Sequence, residues 1–313
     1  MSEWKVLITD SLEDAGLAIL RQSAQVTDCS GISAEELAGI ISGFHALVVR
    51  SRTRVTASLL EKASFLKVVG RAGVGVDNID LQAARTHGIV VVNTPTATTQ
   101  AVAELTIGLL FALARQIPFL DAALKQGQWL KNETSGLELN GKTLGLIGMG
   151  NIGMAVARFA KSMDMQVLGY DPYLSPSDVS LRGAQPASLP ELYAQSVFIS
   201  LHVPLTPETE GMIDQQALSA MKSGVRLVCT SRGGIIDQVE LLAALDSGHV
   251  AGAALDVFSE EPPGLTDLVR HPHLVATPHI GAQTREAQRR AAEMVAREVL
   301  AALNGEAVQW RLA

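Results

Sequence analysis

Thr143-Leu144-Gly145-Leu146-Ile147-Gly148-Met149-Gly150-Asn151-Ile152-Gly153 is the stretch whose reading decides the fold. Five residues with strand character run straight into a glycine-rich turn, and a helical pattern from Ile152 to Met163 opens immediately after it. Each glycine has a separate task in such a turn. Gly148 permits the tight reversal, Gly150 lets a ligand approach the backbone, and Gly153 lets helix and strand pack closely. An acid, Asp171, closes the next strand pattern 18 residues beyond Gly153. Glycines alone are a weak signal. Strand, helix and acid together predict a dinucleotide site, with the pyrophosphate on the free amides of the helix start and Asp171 on the adenine-ribose hydroxyls. Asp171 repels a 2′-phosphate and is followed by Pro172, not by an arginine, so NAD is expected over NADP.

Outward from the turn, short β-branched runs alternate with helical patterns along the chain. Upstream they are Val6-Leu7-Ile8, Ala46-Leu47-Val48-Val49, Leu66-Lys67-Val68-Val69 and Ile89-Val90-Val91-Val92. Downstream they are Gln166–Gly169, Val197–Ser200, Arg226–Val228, Val250–Ala254 and Leu274–Thr277. This alternation is the signature of parallel α/β architecture, and two successive series predict two doubly wound parallel-sheet domains with a ligand cleft between them. Ser33-Ala34-Glu35-Glu36 reads as a capping box, and Gly88 as a left-handed helix end. One long helix is expected from Thr98 to Lys125, and a last amphipathic helix from Thr284 to Leu303.

Composition narrows the function classes. A chain of 313 residues exceeds one typical domain, and 47% hydrophobic against 18% charged residues supplies ample core. The net charge of −7 argues against phosphate-backbone binding and hence against nucleic acid as a partner. Cys29 and Cys229 form no metal-ligand spacing, so no metal is expected, and they read as reduced thiols of a cytoplasmic protein. Met1-Ser2-Glu3-Trp4-Lys5 leads directly into the first strand pattern with no signal-like stretch, and no apolar run is long enough to span a bilayer.

Three segments near predicted strand ends carry chemistry. They are Ser231-Arg232-Gly233-Gly234, Asp256-Val257-Phe258-Ser259-Glu260-Glu261-Pro262-Pro263 and Thr277-Pro278-His279-Ile280-Gly281-Ala282. An arginine can fork onto a substrate carboxylate, a histidine can exchange a hydroxyl proton near neutral pH, and a carboxylate can orient that histidine. The set suits hydride chemistry on a hydroxy acid.

With these segments the chain resembles the D-isomer-specific 2-hydroxyacid dehydrogenases along essentially its whole length. The likeness includes Val49-Arg50-Ser51, Gly70-Arg71-Ala72-Gly73-Val74-Gly75-Val76-Asp77-Asn78, Asn93-Thr94-Pro95, Leu139–Gly145, the glycine turn and His202-Val203-Pro204-Leu205-Thr206. The resemblance implies Arg232 as the carboxylate-binding arginine, His279 as acid/base, and Glu261, the acid preceding Pro262-Pro263, as its partner. It implies cofactor contacts at Gly148, Gly150, Asn151, Ile152, Gly153, Asp171, Val203, Thr230, Asp256 and Ala282, with Asp256 accepting from the nicotinamide carboxamide. The loop Arg71, Gly73, Val74, Gly75 and Val76 is implied to hold the substrate, with Val74 also touching the cofactor.

The resemblance further implies a discontinuous flavodoxin-like substrate domain (1–97 and 283–313) and an inserted Rossmann-type NAD domain (98–282). A homodimer through the cofactor domain, or a tetramer built on it, is implied near the Thr98–Lys125 helix. Members most like this chain oxidise 3-phospho-D-glycerate, which needs positive charge for the phosphate. Arg50 and Arg71 are the candidates, and Lys131 is placed to reach a neighbouring subunit's site. Two alternatives stand beside this expectation: a glyoxylate or hydroxypyruvate reductase, and a transcriptional corepressor that senses NAD. Two positions depart from the family pattern: Cys229, where many relatives have asparagine, and the loop Thr94-Pro95-Thr96-Ala97-Thr98-Thr99. The chain ends soon after the last helix, which predicts a form without appended C-terminal regulatory domains.

Overall fold

The computed structural model describes residues 4–313; the expected lead-in Met1-Ser2-Glu3 lies outside the described residues. The chain separates into two compact units, one formed by Met1–Thr98 with Ala282–Ala313 and the other by Thr99–Gly281. Both junctions fall one residue from the expected boundaries.

Unit 1 alternates strictly: β1 (Trp4–Ile8), α1 (Asp14–Arg21), β2 (Ala24–Asp28), α2 (Ala34–Ile40), β3 (Ala46–Val49), α3 (Ala57–Glu61), β4 (Val68–Arg71), α4 (Leu81–Thr86) and β5 (Val90–Val92). The strands form one parallel sheet in the order β2-β1-β3-β4-β5, the flavodoxin-like winding. Strands covered on both faces read as continuous apolar runs, and all four residues of β3 are buried. The capping box at Ser33 forms as expected, with Ser33 and Glu36 each bonding the other's backbone. Strand β4 sits two residues later than its sequence pattern suggested. Lys67 instead sends its ammonium over the Trp4 ring, and Arg71 becomes the strand's last residue. Strand β2 escaped the pattern because Ala24-Gln25-Val26-Thr27-Asp28 lies at the sheet edge, where only Ala24 is fully buried.

Unit 2 begins with α5 (Thr99–Arg115) and α6 (Ile117–Lys125). The single long helix expected here is two, bent by 62°. Gln116 takes a left-handed backbone conformation with φ +52°, and Pro118 cannot donate to a continued ladder, so the second helix restarts with the proline in its first turn. There follow β6 (Thr143–Ile147), α7 (Asn151–Ser162), β7 (Gln166–Tyr170), α8 (Pro176–Leu181), β8 (Gln185–Pro186), α9 (Leu189–Gln195), β9 (Phe198–Leu201), α10 (Gln215–Ala220), β10 (Val225–Cys229), α11 (Gln238–Asp246), β11 (Val250–Leu255), α12 (Asp267–Arg270) and β12 (Leu274–Ala276). The strand order is β12-β11-β10-β9-β6-β7-β8, all parallel. Winding reverses between β6 and β9, so the glycine turn leaves β6 at the topological switch point, where such sheets bind ligands. No single helix among the described residues is long and apolar enough to cross a membrane.

The chain then returns to unit 1 as α13 (Arg285–Asn304), capped by the Thr284 hydroxyl and ended by Gly305 at φ +73°. Its stripe of Ala291, Ala292, Val295, Ala296, Val299 and Leu303 buries against Val6, Ile8, Val48 and Val68 of the sheet. The terminal residues pair along the β5 edge, with the Leu312 amide donating to Val91 and the Val91 amide to Ala313.

Candidate active site

The glycine turn is fixed by backbone on two sides. Gly148 has φ +93°, and a Cβ there would stand 2.6 Å from the His202 carbonyl oxygen at the end of β9. A Cβ on Gly153 would stand 2.1 Å from the Gly148 carbonyl oxygen. Gly150 differs: a Cβ there would meet no protein atom within 4 Å. The protein itself therefore does not require glycine at 150, and the open space beside the first amides of α7 suits a close-approaching phosphate. Asp171 is the first residue past β7. Its Oδ2 accepts the Met149 amide at 2.9 Å and its Oδ1 the Tyr173 amide at 3.0 Å, which fixes a carboxylate at the position expected to meet ribose. These features fit a dinucleotide with its pyrophosphate at Asn151 and Ile152.

His202 is half-buried, its ring 3.0 Å from the Ser200 hydroxyl, and burial of the ring pushes its imidazole down to about 4, so it is neutral at physiological pH. Val203 follows it, half-buried, with its side chain close to Gly148. No local pattern marks His202 as the wall against which the turn closes.

The three catalytic candidates lie on loops following β10, β11 and β12. Glu261 Oε2 is 2.8 Å from His279 Nδ1, and Glu261 Oε1 accepts the Phe258 amide at 3.1 Å. Of the two adjacent glutamates, Glu261 is the one in contact with His279. A carboxylate can only accept, so Nδ1 carries the proton and Nε2 is left to exchange one with a substrate. His279 is itself left-handed at φ +53°, an uncommon conformation for a residue with a side chain. It is held from both sides by Asp256, which is completely buried. Oδ1 of Asp256 accepts the Thr277 hydroxyl at 2.6 Å and the Ile280 amide at 2.8 Å, and Oδ2 accepts the Gly281 amide at 2.8 Å. The resemblance implied a cofactor contact at Asp256; in this structure its oxygens grip the turn that carries His279.

Arg232 is half-buried, with its Nη1 donating to the Ser231 carbonyl at 2.6 Å. The next residue explains how its loop meets that of Glu261. A Cβ on Gly233 would stand 1.8 Å from the Phe258 carbonyl oxygen, so only glycine permits the two backbones to touch. Cys229 lies beneath. Burial pushes its thiol up, so it stays protonated, and its sulfur is 3.6 Å from the Arg232 carbonyl oxygen, which it supports as a donor. Thr230 is buried with its hydroxyl 3.1 Å from that of Thr106, which in turn donates to the Val102 carbonyl.

In unit 1 the candidates also cluster. Arg50 follows β3 and its amide donates to Asp10 Oδ2 at 2.6 Å. Burial pushes the Arg50 guanidinium below its ordinary value, and the nearby charges of Asp10 and Glu13 oppose that shift. Asn78 ties the Arg50 loop to the Arg71–Asn78 loop by donating to the carbonyls of Arg50 (2.9 Å) and Thr53 (2.6 Å). Gly73 leaves the space that the Arg71 guanidinium fills. Val74 is held through its carbonyl by Asn93 at 2.7 Å, and Gly75 and Val76 continue the loop, partly exposed. Asp10 was not singled out by sequence. It also accepts from the Thr53 hydroxyl and pairs with Arg52, whose other nitrogens bond the Thr9 and Ile32 carbonyls; Arg52 is therefore a structural strut. Ala282 opens the return segment and accepts from Gln288 at 2.6 Å. Lys131 is exposed in the irregular segment after α6.

Comparisons with known proteins agree with this geometry. Residues 107–281, nearly the whole of unit 2, match the family described as D-isomer specific 2-hydroxyacid dehydrogenase, NAD binding domain. Human D-3-phosphoglycerate dehydrogenase is 45% identical over 305 residues, which cover 97% of this chain and 57% of that protein. The chain thus spans somewhat more than half the length of that relative. A glyoxylate reductase from Paecilomyes thermophila superposes with a TM-score of 0.91 at 30% identity, covering 100% of this chain and 99% of the other. A D-lactate dehydrogenase from Aquifex aeolicus, solved with NAD and lactic acid, gives 0.84 at 30% identity over 96% of each chain. This chain belongs to the D-isomer-specific 2-hydroxyacid dehydrogenase family, and its second unit is that family's NAD-binding domain.

Proposed function

We propose that the chain catalyses NAD-dependent oxidation of a D-2-hydroxy acid, with 3-phospho-D-glycerate as substrate and 3-phosphohydroxypyruvate as product, the entry step of phosphorylated serine biosynthesis. The observation that carries the reaction type is the His279–Glu261 contact at 2.8 Å, set on a turn that Asp256 holds rigid. Arg232 grips the substrate carboxylate and polarises the adjoining carbon. Nε2 of His279 takes the hydroxyl proton, and Glu261 stabilises the imidazolium that results. Bound NAD supplies the acceptor for the hydride leaving the same carbon, so the products are a 2-keto acid, NADH and one proton held on His279. Neutral His279 is required for oxidation and protonated His279 for reduction, so alkaline pH favours oxidation.

The choice of a phosphorylated acid rests on Arg50 and Arg71, two guanidiniums on loops that Asn78 ties together, and on the 45% identity to a phosphoglycerate dehydrogenase. A second reading, glyoxylate or hydroxypyruvate reduction, is favoured by the structural likeness to a glyoxylate reductase. NADH formation across a panel of 2-hydroxy acids, phosphorylated and not, separates the two. A preference of at least tenfold in kcat/KM for 3-phosphoglycerate, lost in Arg50→Ala and Arg71→Ala, supports the first. Equal use of glycerate refutes it.

We also infer a homodimer. Phe111, Ile117, Phe119 and Leu124 on the bent α5–α6 pair are between 41% and 58% exposed, a concentration of apolar surface that suits a second copy. Sedimentation that shows a monomer at micromolar concentration would refute it. The two free thiols suit the reducing cytoplasm.

A further inference from the structure

The peptide group on either side of Met149 is held by opposite charges. Its amide donates to Asp171 Oδ2 at 2.9 Å, and its carbonyl accepts from Arg182 Nη1 at 2.8 Å. The Met149 side chain is wholly buried in the core between α7 and the sheet, so the residue is fixed from three directions. Arg182 arrives from the far end of α8: it caps that helix with φ −81° and ψ +4°, and Gly183 at φ +94° then reverses the chain into β8. The amide nitrogen and carbonyl oxygen of one residue are at most about 3.6 Å apart, which puts the guanidinium within about 9 Å of the Asp171 carboxylate. Arg182 is half-buried, and its charge also acts on Asp178, whose carboxylate is otherwise engaged in capping α8 through Ser175.

Asp171 stands where a ribose diol is recognised, and a carboxylate there accepts from hydroxyls and repels a phosphate. A guanidinium has the opposite preference: its fork matches phosphate oxygens and offers nothing to a diol that water does not. The free amides of α7 beyond Gly150 are the groups placed for a pyrophosphate, whereas Arg182 bonds the turn one residue earlier, at Met149. Met149 is also the residue that Asp171 holds, so Arg182 shares its anchor with the carboxylate expected at the adenosine end.

We propose that Arg182 is a specificity-determining residue for that end: it secures the turn for NAD, and it is the cation that a 2′-phosphate would meet once the Asp171 charge is gone. The preference for NAD then depends on one carboxylate, with the partner for NADP already in place. The proposal builds on the family's NAD-binding domain and does not depend on which hydroxy acid is oxidised.

Equilibrium binding tests it, read by nucleotide fluorescence for NADH and NADPH and by calorimetry for AMP against adenosine 2′,5′-bisphosphate. Four proteins are compared: the parent, Arg182→Ala, Asp171→Asn and the double variant. Arg182→Ala should weaken NADH about threefold without improving NADPH. Asp171→Asn should weaken NADH and tighten NADPH and the bisphosphate about tenfold. The double variant should lose that tenfold gain, and Asp171→Asn with Arg182→Lys should retain part of it, because lysine is still a cation although it lacks the fork. Equal NADPH affinity in Asp171→Asn and in the double variant overturns the proposal. So does an Arg182→Ala effect that falls equally on AMP and the bisphosphate in the Asp171→Asn background, since a purely structural arginine would behave that way. Thermal melts establish that each variant is folded, and Asp171→Ser replaces Asp171→Asn if the latter is not.

Discussion

Asp256 holds His279 through the residues beside it: the carboxylate takes the Ile280 and Gly281 amides at 2.8 Å each, and these follow directly the residue that carries the imidazole. The uncommon φ of +53° at His279 is sustained by this grip, so the position of the proton-exchanging ring is set by a residue that need not touch the reacting atoms. Asp256→Asn turns one acceptor oxygen into an NH2 group facing a donor. The expected cost is about 2 kcal/mol of stability and a fall of tenfold or more in kcat. NADH affinity measured by titration should stay within threefold of the parent if Asp256 serves the turn, and should fall well beyond that if it also binds the nicotinamide amide.

Glu261→Gln keeps the shape of the acid and removes its charge. The imidazolium loses its counter-charge, so the protonated form of His279 is disfavoured. Oxidation should slow about 10- to 100-fold, and reduction, which starts from the imidazolium, should suffer more than oxidation. Stopped-flow rates in both directions, parent against variant, check the ratio.

The turn glycines should separate into a ligand position and two packing positions. Gly150→Val enters open space at an ordinary φ of −67°, so the melting temperature should change little while NADH binding drops by about 30-fold or more. Gly153→Ala drives a methyl into the Gly148 carbonyl and should lose about 1–3 kcal/mol of stability by denaturant unfolding.

His202 gives a pH dependence of folding whose sign is fixed. Its folded value, about 4, lies below the ordinary 6.5, so between these limits the unfolded chain binds more protons than the folded one. Stability from this group is complete above pH 6.5 and is lost as pH falls towards 4, by about 3 kcal/mol at most. Urea unfolding of His202→Gln, followed from pH 7 to pH 4, should show a correspondingly flatter slope than the parent.

Where local rules govern, the chain could be read directly. Strand, turn and helix from Thr143 to Ser162, the capping box at Ser33 and the pairing of His279 with Glu261 over Glu260 follow from patterns a few residues long or from the family likeness. Tertiary geometry hid the rest. Gln116 breaks a helix whose apolar pattern runs on through it, and the strands at Ala24 and Gln185 lie near sheet edges where burial imposes little alternation. Asp10 and Arg182 act on backbone 40 and 33 residues away, and no spacing rule connects such partners.

Helix α13 completes a sheet whose strands all lie within the first 92 residues. During synthesis on the ribosome, every element of Thr99–Gly281 emerges before α13, whereas the segment made earliest must wait for Arg285–Asn304 before the cover over Val6, Ile8, Val48 and Val68 is complete. The order of emergence is thus the reverse of the order of completion. Until then the nascent N-terminal sheet has α1 but not α13 on that face and leaves part of it open, the state in which a chaperone would bind it and from which aggregation would begin.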